Sequence, residues 1–131
     1  MNTPRKVVAI TGASQGIGAG LVQAFRDRDF RVIANSRSIR PSTDPDVLAV
    51  AGDISDRAVA QRIVDEGLAR FGRIDTLVNN AGIFTAKPFT QFDADDYANN
   101  VAINLTGFFH ITQLAIEQME KQGAGHVVTI T

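Results

Sequence analysis

The stretch Thr11-Gly12-Ala13-Ser14-Gln15-Gly16-Ile17-Gly18 carries three glycines in the spacing G-x-x-x-G-x-G. A glycine-rich turn between a strand and a helix can aim backbone N–H groups and a helix N-terminus at a phosphate. Gly12 suits the tight turn, Gly16 lets a pyrophosphate approach the backbone, and Gly18 allows close helix–strand packing. Ser14, Gln15 and Ile17 lie between them, on the part of the turn a dinucleotide would meet. The spacing differs from the commoner G-x-G-x-x-G fingerprint, and no lysine follows it, so it is not a P-loop for nucleoside triphosphates. A glycine-rich turn without a ligand is the plain alternative.

Further polar residues fall at the ends of apolar runs. Asn35-Ser36-Arg37 closes the second run, roughly 20 residues past the glycine turn, where NAD-preferring dinucleotide folds carry an acid for the ribose 2′-hydroxyl. No acid stands there. A carboxylate would repel a 2′-phosphate, whereas Arg37 can pair with one and Asn35 and Ser36 can add neutral hydrogen bonds. NADP(H) is therefore expected over NAD(H), with Arg37 as a merely solvated loop charge the alternative. Asp53-Ile54 follows the third run, Asn79-Asn80-Ala81-Gly82 the fourth, and Asn104 sits within a helical stretch. Asp53 could simply cap the loop before Asp56, Asn79 and Asn80 could be turn residues, and Asn104 could bond its own helix backbone.

These residues need a scaffold, and the hydrophobic pattern supplies one. Lys6–Thr11, Arg31–Asn35, Val47–Ala51, Ile74–Asn79 and the closing GHVVTIT read as short, largely buried strands. Ile17, Leu21, Val22 and Phe25 recur at helical spacing, giving a helix that ends near Asp29. Asp56 is placed to cap a helix running to about Phe71, with Val59, Ile63, Val64 and Leu68 on its buried face and Gly72 ending it. Asp93–Gln122 reads as helix in two pieces, the second carrying Leu105, Phe108, Phe109, Thr112, Leu114 and Ile116, stopped by Gly123 and Gly125. Ser36–Asp46, with Pro41 and Pro45, reads as a loop. Strands separated by helices imply right-handed βαβ crossovers and a parallel sheet covered on both faces, an α/β fold in a single domain over residues 1–131.

Composition agrees with that class. The 131 residues are 44% hydrophobic and 21% charged, with net charge −1 and no cysteine. Nothing in that balance suggests nucleic acid or a membrane surface as a partner, and disulfides and thiolate metal sites are excluded. No apolar run approaches the length of a membrane span, and Met1–Lys6 is polar and short, unlike a signal peptide; a cytoplasmic location is expected.

With those motifs in order, the chain resembles the first half of a classical short-chain dehydrogenase/reductase. T-G-x-x-x-G-I-G at Thr11–Gly18 matches that family's cofactor motif, Asp53-Ile54 its adenine-contacting pair, and NNAG at Asn79–Gly82 its internal signature. Asn104 matches the asparagine of its catalytic tetrad. The resemblance implies a Rossmann-like doubly wound sheet in the order 3-2-1-4-5, lacking the family's later strands. It also implies hydride transfer between a nicotinamide and a small carbonyl or alcohol compound, and a homo-oligomer built on long helices, where Phe108 and Phe109 would fit. The family's catalytic serine, tyrosine and lysine have no match here. Tyr97 is the one tyrosine, Val101 stands four residues on, and His110 and His126 have no partner pattern. The fifth strand should be an apolar sheet edge that leads toward the active site, with Ile130 near the nicotinamide. Two other readings remain at this level: a nucleotide-binding module without redox activity, and an S-adenosylmethionine-dependent methyltransferase, which NNAG and Arg37 disfavour.

Overall fold

The computed structural model describes residues 4–131, so the first half of the polar opening Met1–Lys6 lies outside the described residues. Five strands and four α-helices follow one another as β1 (Val7–Thr11), α1 (Gly16–Asp27), β2 (Arg31–Ser36), β3 (Val47–Ala51), α2 (Arg57–Phe71), β4 (Thr76–Asn79), α3 (Ala94–Val101), α4 (Phe108–Gln122) and β5 (His126–Thr129). A 3-10 turn spans Phe89–Gln91, and a π-helical turn, Ala102–Gly107, joins α3 to α4. The strands form one parallel sheet in the order β3-β2-β1-β4-β5. That is the expected Rossmann-like arrangement.

Strand alternation explains the two layers. Val7, Ala9, Ile33 and Leu77 point to one face, where Val59, Ala60, Ile63 and Val64 of α2 and Ile111, Leu114 and Ala115 of α4 cover them. Val8, Ile10, Val32, Ala34 and Val78 point to the other, under Leu21, Val22 and Phe25 of α1. Burial on both faces is why these strands read as continuous apolar runs. The helices end as their caps dictate: Asp56 accepts from Ala58 N at 2.9 Å at the head of α2, and Gly72, at φ 80°, terminates it.

Three details depart from the sequence reading. β4 begins two residues late, because Asp75 is used at the strand mouth: its carboxylate accepts from Val7 N at 2.8 Å and pairs with Arg73. The two helical pieces of Asp93–Gln122 are not separated by a loop but fused through the π turn. Of the apolar residues assigned to the second piece, only Leu114 is fully buried, while Leu105, Phe108, Phe109 and Ile116 are exposed. β5 is the sheet edge, and its Val127 and Val128 are half-buried. No helix among the described residues is long and apolar enough to cross a membrane, and no group of His, Asp or Glu there is placed to hold a metal ion.

Candidate cofactor-binding site

A cleft runs across the carboxyl ends of the strands, opening where β1 and β4 send their connections to opposite sides of the sheet. This is the switch point at which doubly wound sheets bind ligands. One half, about 410 Å³, is lined by Gly12, Ser14, Gln15, Gly16 and Ile17 of the turn, by Asn35, Ser36 and Arg37, by Asp53 and Ile54, and by Asn80, Ala81 and Gly82. The other half, about 350 Å³, takes in Asn79, Asn104, Phe108 and Ile130. Ile54, Asn80, Ala81, Gly82, Ile83 and Ile103 belong to both.

The turn is built for close approach. Gly12 and Gly16 have φ of +64° and +56°, the left-handed region that favours glycine. Gly18 alone of the expected binding residues lies outside the cleft lining; a Cβ there would meet Gly12 O at 1.9 Å. Its close partner is therefore the carbonyl of the turn, rather than the strand that spacing suggested. The head of α1 has no side-chain cap and no acid in its first turn, so its positive end faces the cleft unneutralised.

Thr11 joins the two halves of the wall. Its Oγ1 accepts from Asn80 N at 3.1 Å and Ala81 N at 3.0 Å, while Asn80 Nδ2 donates to Gly12 O at 3.1 Å. Asn79 Nδ2 donates to Thr112 Oγ1 at 2.9 Å, tying β4 to α4. The asparagines of NNAG are thus structural ties, not free turn residues. Asp53 Oδ1 accepts from Ser55 N and Oγ at 2.9 and 2.8 Å, so this carboxylate turns the loop and also lines the cleft.

At the end of β2 the three expected contacts divide. Asn35 is buried and both hydrogens of its amide are spent on Val50 O and Gly52 O, at 2.9 and 3.2 Å. It ties β2 to β3 with its amide hydrogens while lining the cleft. Ser36 Oγ is buried without a hydrogen-bond partner. Arg37 is exposed on the cleft wall and makes no ion pair among the described residues. Sequence reasoning missed Arg40, which with Ser14, Gln15 and Ser38 lines an adjoining hollow of about 550 Å³. A cation three residues beyond Arg37 on the same short turn was the available signal. It also missed Gly107, where a Cβ would meet Ile54 Cγ2 at 2.7 Å; that glycine lets the helix seat Ile54 against the cleft.

Asn104 lies in the π turn, with Oδ1 accepting from Ile83 N at 2.9 Å and Nδ2 donating to Ile83 O at 3.2 Å. It bonds the loop across the cleft, not its own helix backbone. π turns interrupt the regular i→i+4 ladder and recur at functional sites. Tyr97 is 71% exposed on α3 and lines neither half of the cleft.

This fold and this cleft have close counterparts. The family model described as short chain dehydrogenase matches residues 6–131, and the chain belongs to that family. An uncharacterized oxidoreductase of Thermotoga maritima is 34% identical over all of this chain and 55% of its own length. The D-threitol dehydrogenase of Mycolicibacterium smegmatis is 33% identical over 95% of this chain and 52% of its own. Among solved structures, that of ElxO with NADP bound superposes with a TM-score of 0.89 at 28% identity, over 97% of this chain and 55% of that one. A short-chain dehydrogenase from Streptomyces avermitilis gives 0.89 at 29%, over all of this chain and half of that one. The chain spans about half the length of the relatives it matches.

Proposed function

We propose that residues 1–131 are the NADP(H)-binding part of an oxidoreductase that moves a hydride between the nicotinamide and a small carbonyl or alcohol substrate. The observation that carries the cofactor choice is the end of β2. Ser36 and Arg37 stand in the lining with no acid beside them, and Ser36 Oγ is buried without a partner. A phosphate on the ribose 2′-oxygen would satisfy that hydroxyl and pair with Arg37, and it fits the residues present. ElxO, solved with NADP bound, is a structural neighbour in keeping with the choice. The pyrophosphate would meet the uncapped N-terminus of α1 across Gly12 and Gly16. Asp53 would bound the adenine side and Ile130 and Asn104 the nicotinamide side, with Ile54, Ala81 and Gly82 shared between the two halves.

The bound nicotinamide would supply the hydride. What this chain contributes is binding, orientation and a wall that keeps water from one side of the ring. The proton-transferring tyrosine and its lysine have no counterpart in these 131 residues, so cofactor binding without turnover is expected of them alone. A homo-oligomer through α4 is part of the proposal, with Phe108, Phe109 and Ile116 as exposed apolar residues there, as is a cytoplasmic location. Titration calorimetry with NADP+ and NAD+ tests the reading. NADP+ should bind at least tenfold more tightly, the worth of one charge-assisted phosphate contact at about 1.5–3 kcal/mol. Equal binding, or tighter NAD+, refutes it.

A further inference from the structure

The loop between β4 and α3 is held to the helix by a series of polar contacts at two matched spacings. On the helical side they come from Asp96, Asn100 and Asn104, each four residues apart. On the loop side they come from Ile83, Thr85 and Lys87, each two apart. Asn104 brackets the peptide N–H and C=O of Ile83, Asn100 Nδ2 donates to Thr85 Oγ1 at 3.1 Å, and Lys87 Nζ pairs with Asp96 Oδ2 at 2.5 Å. Four helical residues advance about 6.0 Å and two extended residues about 6.6 Å, so the three contacts stay nearly in register over two steps. Burial alternates over the first two rungs, with Ile83 and Thr85 half-buried and Phe84 and Ala86 exposed, while the last rung, Lys87, is exposed. Asn100 is the middle of this ladder and touches both neighbours, for its Oδ1 accepts from Asn104 Nδ2 at 3.4 Å and its Nδ2 also donates to Asp96 O at 2.8 Å.

We infer that Asn100 is a positioning residue for the nicotinamide half of the cleft, acting through Asn104 and Thr85 to hold Ile83 as the cleft wall. The inference rests on the cofactor reading above. Ile83 lines both halves of the cleft, whereas Asn104 lines only the half that holds Ile130. Losing the middle contact frees residues 83–87 to swing and leaves the end of β2 untouched. Thr85 reports the same contact from the loop side, without altering the helix.

The test compares Asn100→Leu, Thr85→Val and the double variant, each near in shape to the residue it replaces. NADPH and 2′,5′-ADP are titrated separately, the second being a probe of the adenosine half alone. Each single variant should weaken NADPH roughly fivefold to tenfold and leave 2′,5′-ADP within about twofold. The double variant should be no weaker than Asn100→Leu, since the contact that Thr85→Val removes is among those already lost with the Asn100 amide. Equal weakening of the two ligands, or unchanged NADPH binding, overturns the positioning role. Amide hydrogen exchange at Ile83 in the ligand-free chain supplies a separate arm: it should quicken in both variants, and unchanged exchange overturns the ladder itself. If the unaltered chain binds neither ligand, the cofactor reading fails and the role of Asn100 in the cleft with it.

Discussion

Gly16, Gly18 and Gly20 lie on alternate residues of one helix head, and replacing each by alanine asks three different physical questions. Gly20 is exposed, with open space where a Cβ would go, so the substitution should only remove the helical penalty of glycine. It should stabilise by about 0.5–1 kcal/mol. Gly16 also has open space, but its φ of +56° costs an L-residue about 1–2 kcal/mol. Gly18 has no room. Its Cβ would stand 1.9 Å from Gly12 O and 2.7 Å from Asn80 Nδ2. The nearer contact must open by about 1.5 Å to reach ordinary packing distance, and backbone cannot yield as a flexible side chain does. Overpacking of that kind costs about 1–3 kcal/mol or more, against a helical gain of about 1. Urea denaturation should therefore rank Gly20→Ala above the parent chain and both others below it. NADPH affinity should separate the lower two from Gly20→Ala further, because the turn proposed to meet the pyrophosphate is the part displaced. Gly18→Ala with parental stability and affinity would refute the packing account of that glycine.

Other outcomes follow from the same structure. Ser36→Asp should reverse the cofactor preference, since it adds a carboxylate for the 2′-hydroxyl and against a 2′-phosphate; competitive titration of NAD+ and NADP+ reads this directly. Asp56→Ala removes the cap on α2 and should cost about 0.5–2 kcal/mol in denaturant melts. Asp46 faces Arg5, Arg26 and Arg31, and its hydrogen bonds to Arg5 hold its carboxyl below the ordinary 3.8. The stability it adds is full above that ordinary value and is lost as pH falls through the lowered one. Thermal melts should thus fall once the pH drops below that ordinary value, and Asp46→Asn should flatten that part of the profile while lowering the plateau. The 131-residue chain should show no carbonyl-dependent oxidation of NADPH; measurable turnover would overturn the proposal that these residues bind cofactor without turning it over.

Much of the scaffold was legible because it depends on local chemistry repeated along the chain. β-branched runs, a capping aspartate and glycine stops locate β1, β2, β3 and α2 within a residue or two, and the glycine turn and NNAG point to one cleft. What was not legible depends on partners distant in sequence. Nothing around Asn35 tells that its amide is consumed by β3, and the same composition would serve a ligand donor. The start of β4 is set by Asp75 reaching Val7, and the exposure of Phe109 by which face of α4 meets the sheet. The π turn leaves no periodic signature, because one added residue per turn resembles a slight drift in helical phase. Asn100 gave no motif at all; its role shows only when the loop lies beside it.

The single oxygen of Thr11 also bears on how the protein reaches its native state. It gathers the amides of Asn80 and Ala81, which lie 69 and 70 positions away along the chain. The glycine turn can form early beside β1, but its opposite wall arrives only when a loop of that span has closed. Closing so long a loop carries an entropic cost that local contacts do not share. The proposed dinucleotide site should therefore complete late in refolding, and NADPH fluorescence should lag far-UV circular dichroism after a urea jump. A ligand present from the start will select chains in which β1 and β4 have already met.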